Sequence, residues 1–221
     1  MILKASIEYK TSWGEQLVFC LGGKRHVMRY VSDGLWSVEV DRVRTDKVHE
    51  YTYELMREGK VIRREWKKHD LVLPDMASPE ILEIFDVWYD HPADTPLYSS
   101  AFTKAIFARH DSGKPRKVKN ANVLFKVNAP SVRPDEVLAL AGSGKALGEW
   151  TELIPFDSSE FPVWTLQMHV NDSFAYKLVV VDKKTMAPVM WETGENRVFP
   201  SMYKDGSFRI QTLNPRFCRQ G

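Results

Sequence analysis

Short runs in which apolar and polar positions alternate dominate the chain. Examples are Leu35-Trp36-Ser37-Val38-Glu39-Val40, His49-Glu50-Tyr51-Thr52-Tyr53-Glu54-Leu55, Val163-Trp164-Thr165-Leu166-Gln167-Met168 and Lys177-Leu178-Val179-Val180-Val181. A period of two, in segments rich in β-branched and aromatic residues, predicts strands. Turn-forming segments separate them: Arg57-Glu58-Gly59-Lys60, Asp111-Ser112-Gly113, Asp182-Lys183-Lys184 and Lys204-Asp205-Gly206. No helical stripe of useful length interrupts the pattern. Many short strands with regular turns predict an all-β chain folded as a sandwich or barrel.

The pattern occurs twice. Trp36 and Trp164 open similar strands 128 residues apart. Tyr51 precedes Tyr176, and Trp66 precedes Trp191, each by 125 residues. The run Glu15-Gln16-Leu17-Val18-Phe19 stands ahead of the first set as Asp135-Glu136-Val137-Leu138-Ala139-Leu140 stands ahead of the second. A steady offset over three anchors predicts two copies of one domain. The Pro/Gly/Lys-rich stretch between them predicts domains over 1–110 and 121–221 joined by a linker over 111–120.

Composition narrows the function. A length of 221 residues suits two modest domains, and 43% hydrophobic residues supply a core. A net charge of +2 argues against nucleic-acid binding. The one basic run, Gly113-Lys114-Pro115-Arg116-Lys117-Val118-Lys119, lacks interleaved aromatics and reads as a solvated linker. Cys20 and Cys218 lie far apart, so no disulfide framework is expected. The start carries no signal-peptide pattern, and no apolar run approaches a membrane span, so the expected location is cytoplasmic, with no membrane partner.

Catalytic and metal chemistry is not indicated. Ala141-Gly142-Ser143-Gly144-Lys145-Ala146 has Ala where a phosphate loop needs Gly at 139 and Ser or Thr at 146. The six His are scattered without metal-ligand spacing, no nucleophile signature occurs, and no cofactor is implied. The tryptophans divide into two groups. Trp36 and Trp164 sit inside alternating strands and read as core. Trp150 lies in a loop after Leu-Gly-Glu, and Trp191 lies at a strand end before Glu-Thr-Gly, so both are candidates for exposed faces.

Residues 121–221 resemble a family 20 carbohydrate-binding module, the starch-binding domain. The resemblance rests on Val123-Leu124-Phe125-Lys126-Val127, Gly142-Ser143, Leu147-Gly148-Glu149-Trp150, Trp164, Tyr176-Lys177 and Trp191-Glu192-Thr193-Gly194-Glu195-Asn196-Arg197. Residues 1–110 look like a divergent copy. Their segments Tyr9-Lys10-Thr11-Ser12-Trp13-Gly14-Glu15, Asp86-Val87-Trp88, Ser100-Ala101-Phe102 and Ile106-Phe107-Ala108-Arg109 are similar to the first of two tandem modules at the N-terminus of the disproportionating 4-alpha-glucanotransferases of glycoside hydrolase family 77.

The resemblance implies two immunoglobulin-like antiparallel β-sandwich domains in tandem, binding α-glucans such as starch, glycogen, maltooligosaccharides or cyclodextrin. It implies that Trp150 and Trp191 stack on consecutive glucose rings, and that Lys177, Asn196 and Glu192 meet sugar hydroxyls. A second family site uses tyrosines in two other loops. Here that region holds Arg133-Pro134 and Phe156 or Phe161 in the second half, and Trp13 in the first. The first half lacks the Leu-Gly-x-Trp block, and Thr52 stands where the second half has Lys177; Trp66 remains as its stacking residue. The resemblance also implies a catalytic domain C-terminal to this chain in the same polypeptide. Two alternatives stay open: a glycogen-targeting module of a phosphatase or amylase, and an immunoglobulin-like interaction domain without a sugar ligand.

Overall fold

The computed structural model describes residues 1–44, 50–71, 73, 79–90, 118–202 and 206–218. His49 of one expected strand, the turn residues Asp111-Ser112-Gly113 and Lys204-Asp205, segments 100–102 and 106–109, and residues 111–117 of the expected linker lie outside them. The chain divides into two compact units, Met1–Ala93 with Gly206–Gln211, and Asp94–Asp205 with Thr212–Gly221. The described residues are nearly all in strands, turns and irregular segments.

The first unit carries β1 (Ile2–Glu8), β2 (Glu15–Leu21), β3 (Lys24–Val27), β4 (Arg29–Ser32), β5 (Leu35–Val40), β6 (Glu50–Arg57), β7 (Lys60–Arg64), β8 (His69–Asp70) and β9 (Ile81–Val87). In one sheet β5 pairs antiparallel with β1 and β4, while β9 runs parallel to β1. In the other, β2 and β6 pair at the centre, flanked by β3 and β7, with β8 on β6. The alternation read from the sequence is realised here. Leu3, Ala5 and Ile7 of β1 and Tyr51, Tyr53 and Leu55 of β6 are buried, as is Trp36. Glu58 (φ 49°) and Gly59 (φ 75°) turn β6 into β7 with two left-handed residues, the conformation a two-residue hairpin requires.

The second unit carries β10 (Val123–Asn128), β11 (Glu136–Gly142), β12 (Ile154–Pro155), β13 (Val163–Met168), β14 (Phe174–Asp182), β15 (Pro188–Trp191) and β16 (Arg197–Phe199). β10 pairs with β13. A second sheet runs β12-β11-β14-β15, and β16 also pairs with β14. Phe174, Tyr176, Leu178 and Val180 of β14 join Leu138 and Leu140 of β11 over a core that holds Phe125, Val127 and Trp164. Trp164 is fully buried and donates its indole N–H to the Ala129 carbonyl at 3.2 Å. Rings of this size bury the largest apolar areas in a domain of this length, so Trp164 anchors the unit.

Gly206–Gln211, placed with the second half by the repeat, groups with the first unit. Its residues enter β17 (Ser207–Leu213), where Ser207–Gln211 run parallel to β9. The Arg209 guanidinium donates to Glu83 Oε2 at 2.7 and 2.9 Å, with both side chains buried.

Candidate functional site

The best-defined site lies on the outer face of the β11-β14-β15 sheet. Successive residues of a strand face opposite sides, so Phe174, Tyr176 and Leu178 point into the core and Ala175, Lys177 and Val179 point outward. Directly paired residues share a face. Trp191 pairs with Val179, Ala141 with Lys177, and Val198 with Ala175. Trp191, Lys177 and Val198 therefore rise from one face in three successive rows. Ala139, Val179 and Val181 form a small apolar floor at the Trp191 end, packed against Leu153 and Met186.

Trp150 stands on the turn that follows β11. β11 ends at Gly142, where a Cβ would lie 2.5 Å from Leu147 Cδ1 and 2.6 Å from the Ala175 carbonyl oxygen, so only glycine fits. Ser143 then clamps the chain to β14. Its amide donates to the Ala175 carbonyl at 2.8 Å, and its hydroxyl accepts the Ala175 amide at 2.9 Å. A short 3-10 segment follows over Lys145–Trp150. Leu147 anchors it in the core, and Gly148 (φ 63°), Glu149 (φ 50°) and Trp150 (φ 68°) then take left-handed backbone in succession. Such conformations are rare outside glycine and concentrate at ligand sites. Thr151 returns its amide and hydroxyl to the Gly148 carbonyl. Leu153 then packs on the outer floor. Trp150 is 37% and Trp191 42% exposed, against 0% for Trp164.

The excursion between β15 and β16 is held from within. Lys177 Nζ donates to the carbonyls of Gly194 at 2.7 Å and Glu192 at 3.3 Å. Glu192, expected to meet sugar hydroxyls, is instead a buried support. Its side chain is 3% exposed, and its carboxylate accepts Arg197 Nε at 2.9 Å and Nη2 at 2.5 Å, with the Leu178 amide at 3.4 Å. Trp191 and Glu192 are consecutive on an extended backbone, so one faces out and the other in. Asn196 is exposed on the excursion. Arg197, Ser143 and Leu153 were not singled out from the sequence for these supporting roles. The signal was available for Arg197: an acid and a base flank a glycine-centred loop.

The second family region carries no exposed ring here. Phe156 is buried, and Phe161 packs edge-on against Trp164.

The first unit presents its aromatic residues differently. Trp13 is fully exposed on the turn between β1 and β2, which the Ser12 amide braces by donating to Glu15 at 2.7 Å. Trp66 is 40% exposed and donates its amide to the Tyr89 carbonyl. The Lys67 ammonium lies 4.6 Å from the Tyr89 ring centroid and 6.0 Å from that of Trp66. Burial lowers its pKa, with Asp70 opposing. Thr52 donates to Glu65, the acid that also accepts the amides of Tyr53 and Tyr89 and faces His69. Trp13 and Trp66 thus sit on separate elements of this unit.

Among the described residues, no group of three or more His, Cys, Asp or Glu side chains could hold a metal ion. No helix among them is long and apolar enough to cross a membrane.

Residues 120–209 match the family model described as a starch binding domain. That span contains Trp150, Lys177, Trp191, Glu192, Asn196 and the strands that carry them. No curated protein matches the chain. Among solved structures, the chain is similar to the family 20 carbohydrate-binding module of the maltotetraose-forming amylase of Pseudomonas saccharophila STB07, at 16% identity over 41% of this chain and 98% of that one, with a TM-score of 0.35. It is also similar to the family 15 glucoamylase of Hypocrea jecorina, at 19% identity over 47% of this chain and 18% of that one, with a TM-score of 0.37. A third similar structure is CBMbc, a family CBM26 module of Eubacterium rectale Amy13K in complex with maltoheptaose, at 8% identity over 100% of this chain and 98% of that one, with a TM-score of 0.29. The chain spans less than a fifth of the glucoamylase, 18%.

Proposed function

We propose that the second unit binds α-1,4-glucans without catalysis, through Trp150 and Trp191. The observation that carries this reading is the exposure of both indoles, Trp191 on the outer sheet face and Trp150 on the turn after β11, within a segment that matches a starch-binding family model. A pyranose has an apolar C–H face, and an indole offers it a large flat partner. Rigid rings lose little entropy on binding. Asn196 and the remaining proton of Lys177 supply hydroxyl contacts, which replace hydrogen bonds to water. Glu192 acts through Arg197 by fixing the excursion between β15 and β16.

The reading extends to the whole polypeptide. The resemblance of Tyr9–Glu15 and Asp86–Trp88 to a first tandem module supports a chain that tethers a family 77 4-alpha-glucanotransferase to polymeric glucan. Tethering raises the local concentration of chain ends, and a second weak contact through Trp66 or Trp13 of the first unit adds avidity. The transfer chemistry belongs to that catalytic domain and to no residue described above.

Titration of maltoheptaose or β-cyclodextrin against the chain tests the site. Trp150→Ala combined with Trp191→Ala abolishes binding on this reading. Unchanged affinity in that double variant would sink it.

A further inference from the structure

We propose that Val198 is a further contact for the glucan, extending the site beyond the two tryptophans; this rests on the glucan-binding reading above. Val198 is 72% exposed, the most exposed aliphatic side chain among the large hydrophobics of the second unit. A single exposed valine on a short edge strand is ordinary, and exposure alone decides nothing. Its register does. Val198 pairs with Ala175 and Trp191 pairs with Val179, so the two rise from the same face of β14, on the same edge, four residues apart. At about 3.3 Å per residue the two rows stand about 13 Å apart, farther than one ring spans.

Lys177 occupies the middle row with Ala141 beside it, and its ammonium is drawn to the carbonyls of Glu192 and Gly194. Ala175 leaves the Val198 row without a bulky neighbour on β14. Beyond Ala175, Ser143 leads into the turn that carries Trp150. A glucan stacked on Trp191 and followed along β14 therefore meets an apolar β-branched surface where it next touches the sheet. The C–H face of a pyranose suits such a surface, and the contact excludes water from both. Short ligands seated on Trp191 do not reach it. Val198 therefore sets how strongly affinity grows with chain length.

The experiment compares maltotriose and maltoheptaose by calorimetry on the full chain, for the wild type, Val198→Ser and Val198→Tyr. The inference predicts that Val198→Ser weakens maltoheptaose about three- to tenfold, as expected for loss of a half-buried aliphatic contact, and leaves maltotriose unchanged. Val198→Tyr strengthens maltoheptaose alone. Equal effects on the two ligands, or none on either, overturn it. Val198→Thr, of the same shape, gives the same test if Val198→Ser lowers the melting temperature. A wild-type chain that binds neither ligand removes the glucan reading itself, whereas wild-type binding with an unaltered maltoheptaose-to-maltotriose ratio in the variants removes the Val198 contact alone.

Discussion

The Lys177 ammonium donates to the Gly194 carbonyl at 2.7 Å, across the excursion that separates Trp191 from Arg197. A side chain on β14 thus holds the loop beside the platform, and only part of its donor capacity is left for a ligand. Lys177→Met keeps the aliphatic stem and removes these bonds. Its expected effect is at least a tenfold loss of maltoheptaose affinity with little change in melting temperature, because exposed hydrogen bonds contribute little to stability. Calorimetry and a thermal melt check it together.

Arg197 covers a carboxylate that is almost wholly buried. Arg197→Met leaves Glu192 charged and without its main partner, at a cost of about 3 kcal/mol. The double change Glu192→Gln with Arg197→Met recovers part of that loss. Urea unfolding of the two variants measures the difference; equal stabilities would show the pair to be inert.

Gly142→Ala places a methyl against the Ala175 carbonyl oxygen, which belongs to backbone and cannot swing aside. The expected destabilisation is about 2–3 kcal/mol. Because the displaced strand end leads to Trp150, glucan affinity falls as well. A variant as stable as the wild type would refute this account of the β11 terminus.

In the first unit, Arg209→Met strands Glu83 in the interior, where it accepts two guanidinium donors. The expected loss is about 3–5 kcal/mol, larger than for Arg197 because both partners are buried. Chemical denaturation monitored by tryptophan fluorescence reads it.

Burial, with the charge of Glu54 adding to it, pushes the Cys20 thiol up to about 11. The thiolate is the nucleophile, so alkylation of Cys20 is slow at neutral pH and rises about tenfold per pH unit until near that value. Peptide-resolved mass spectrometry after iodoacetamide treatment follows it. A rate that levels off below pH 9 would contradict the assignment.

The strands were legible because their apolar period is two: Tyr51-Thr52-Tyr53 is buried as that period dictates, whereas in β13 Thr165 is buried beside Trp164. The sorting of tryptophans followed from the same rule, since Trp36 and Trp164 have apolar neighbours two positions away and Trp150 does not. Glu192 was misread because a motif was carried over as a unit, when alternation alone separates it from Trp191. Two features had no local signal. The grouping of Gly206–Gln211 with the first unit depends on parallel pairing with β9, a contact distant in sequence. The left-handed backbone at Glu149 and Trp150 depends on the anchoring of Leu147, which only the packed core supplies.

β15 and β16 both take their alignment from β14, one on each side of the excursion that Lys177 holds. A strand that slips by one residue turns over completely. A slip of β15 would send the Trp191 indole inward and bring Met190 to the surface, and a slip of β16 would exchange Val198 for its neighbours. No intermediate alignment offers a weakened version of the surface. Sugar affinity is therefore a report on strand alignment: a preparation containing misaligned molecules will show fewer binding sites per chain, each with full strength, and the calorimetric stoichiometry will register the fault before the dissociation constant does.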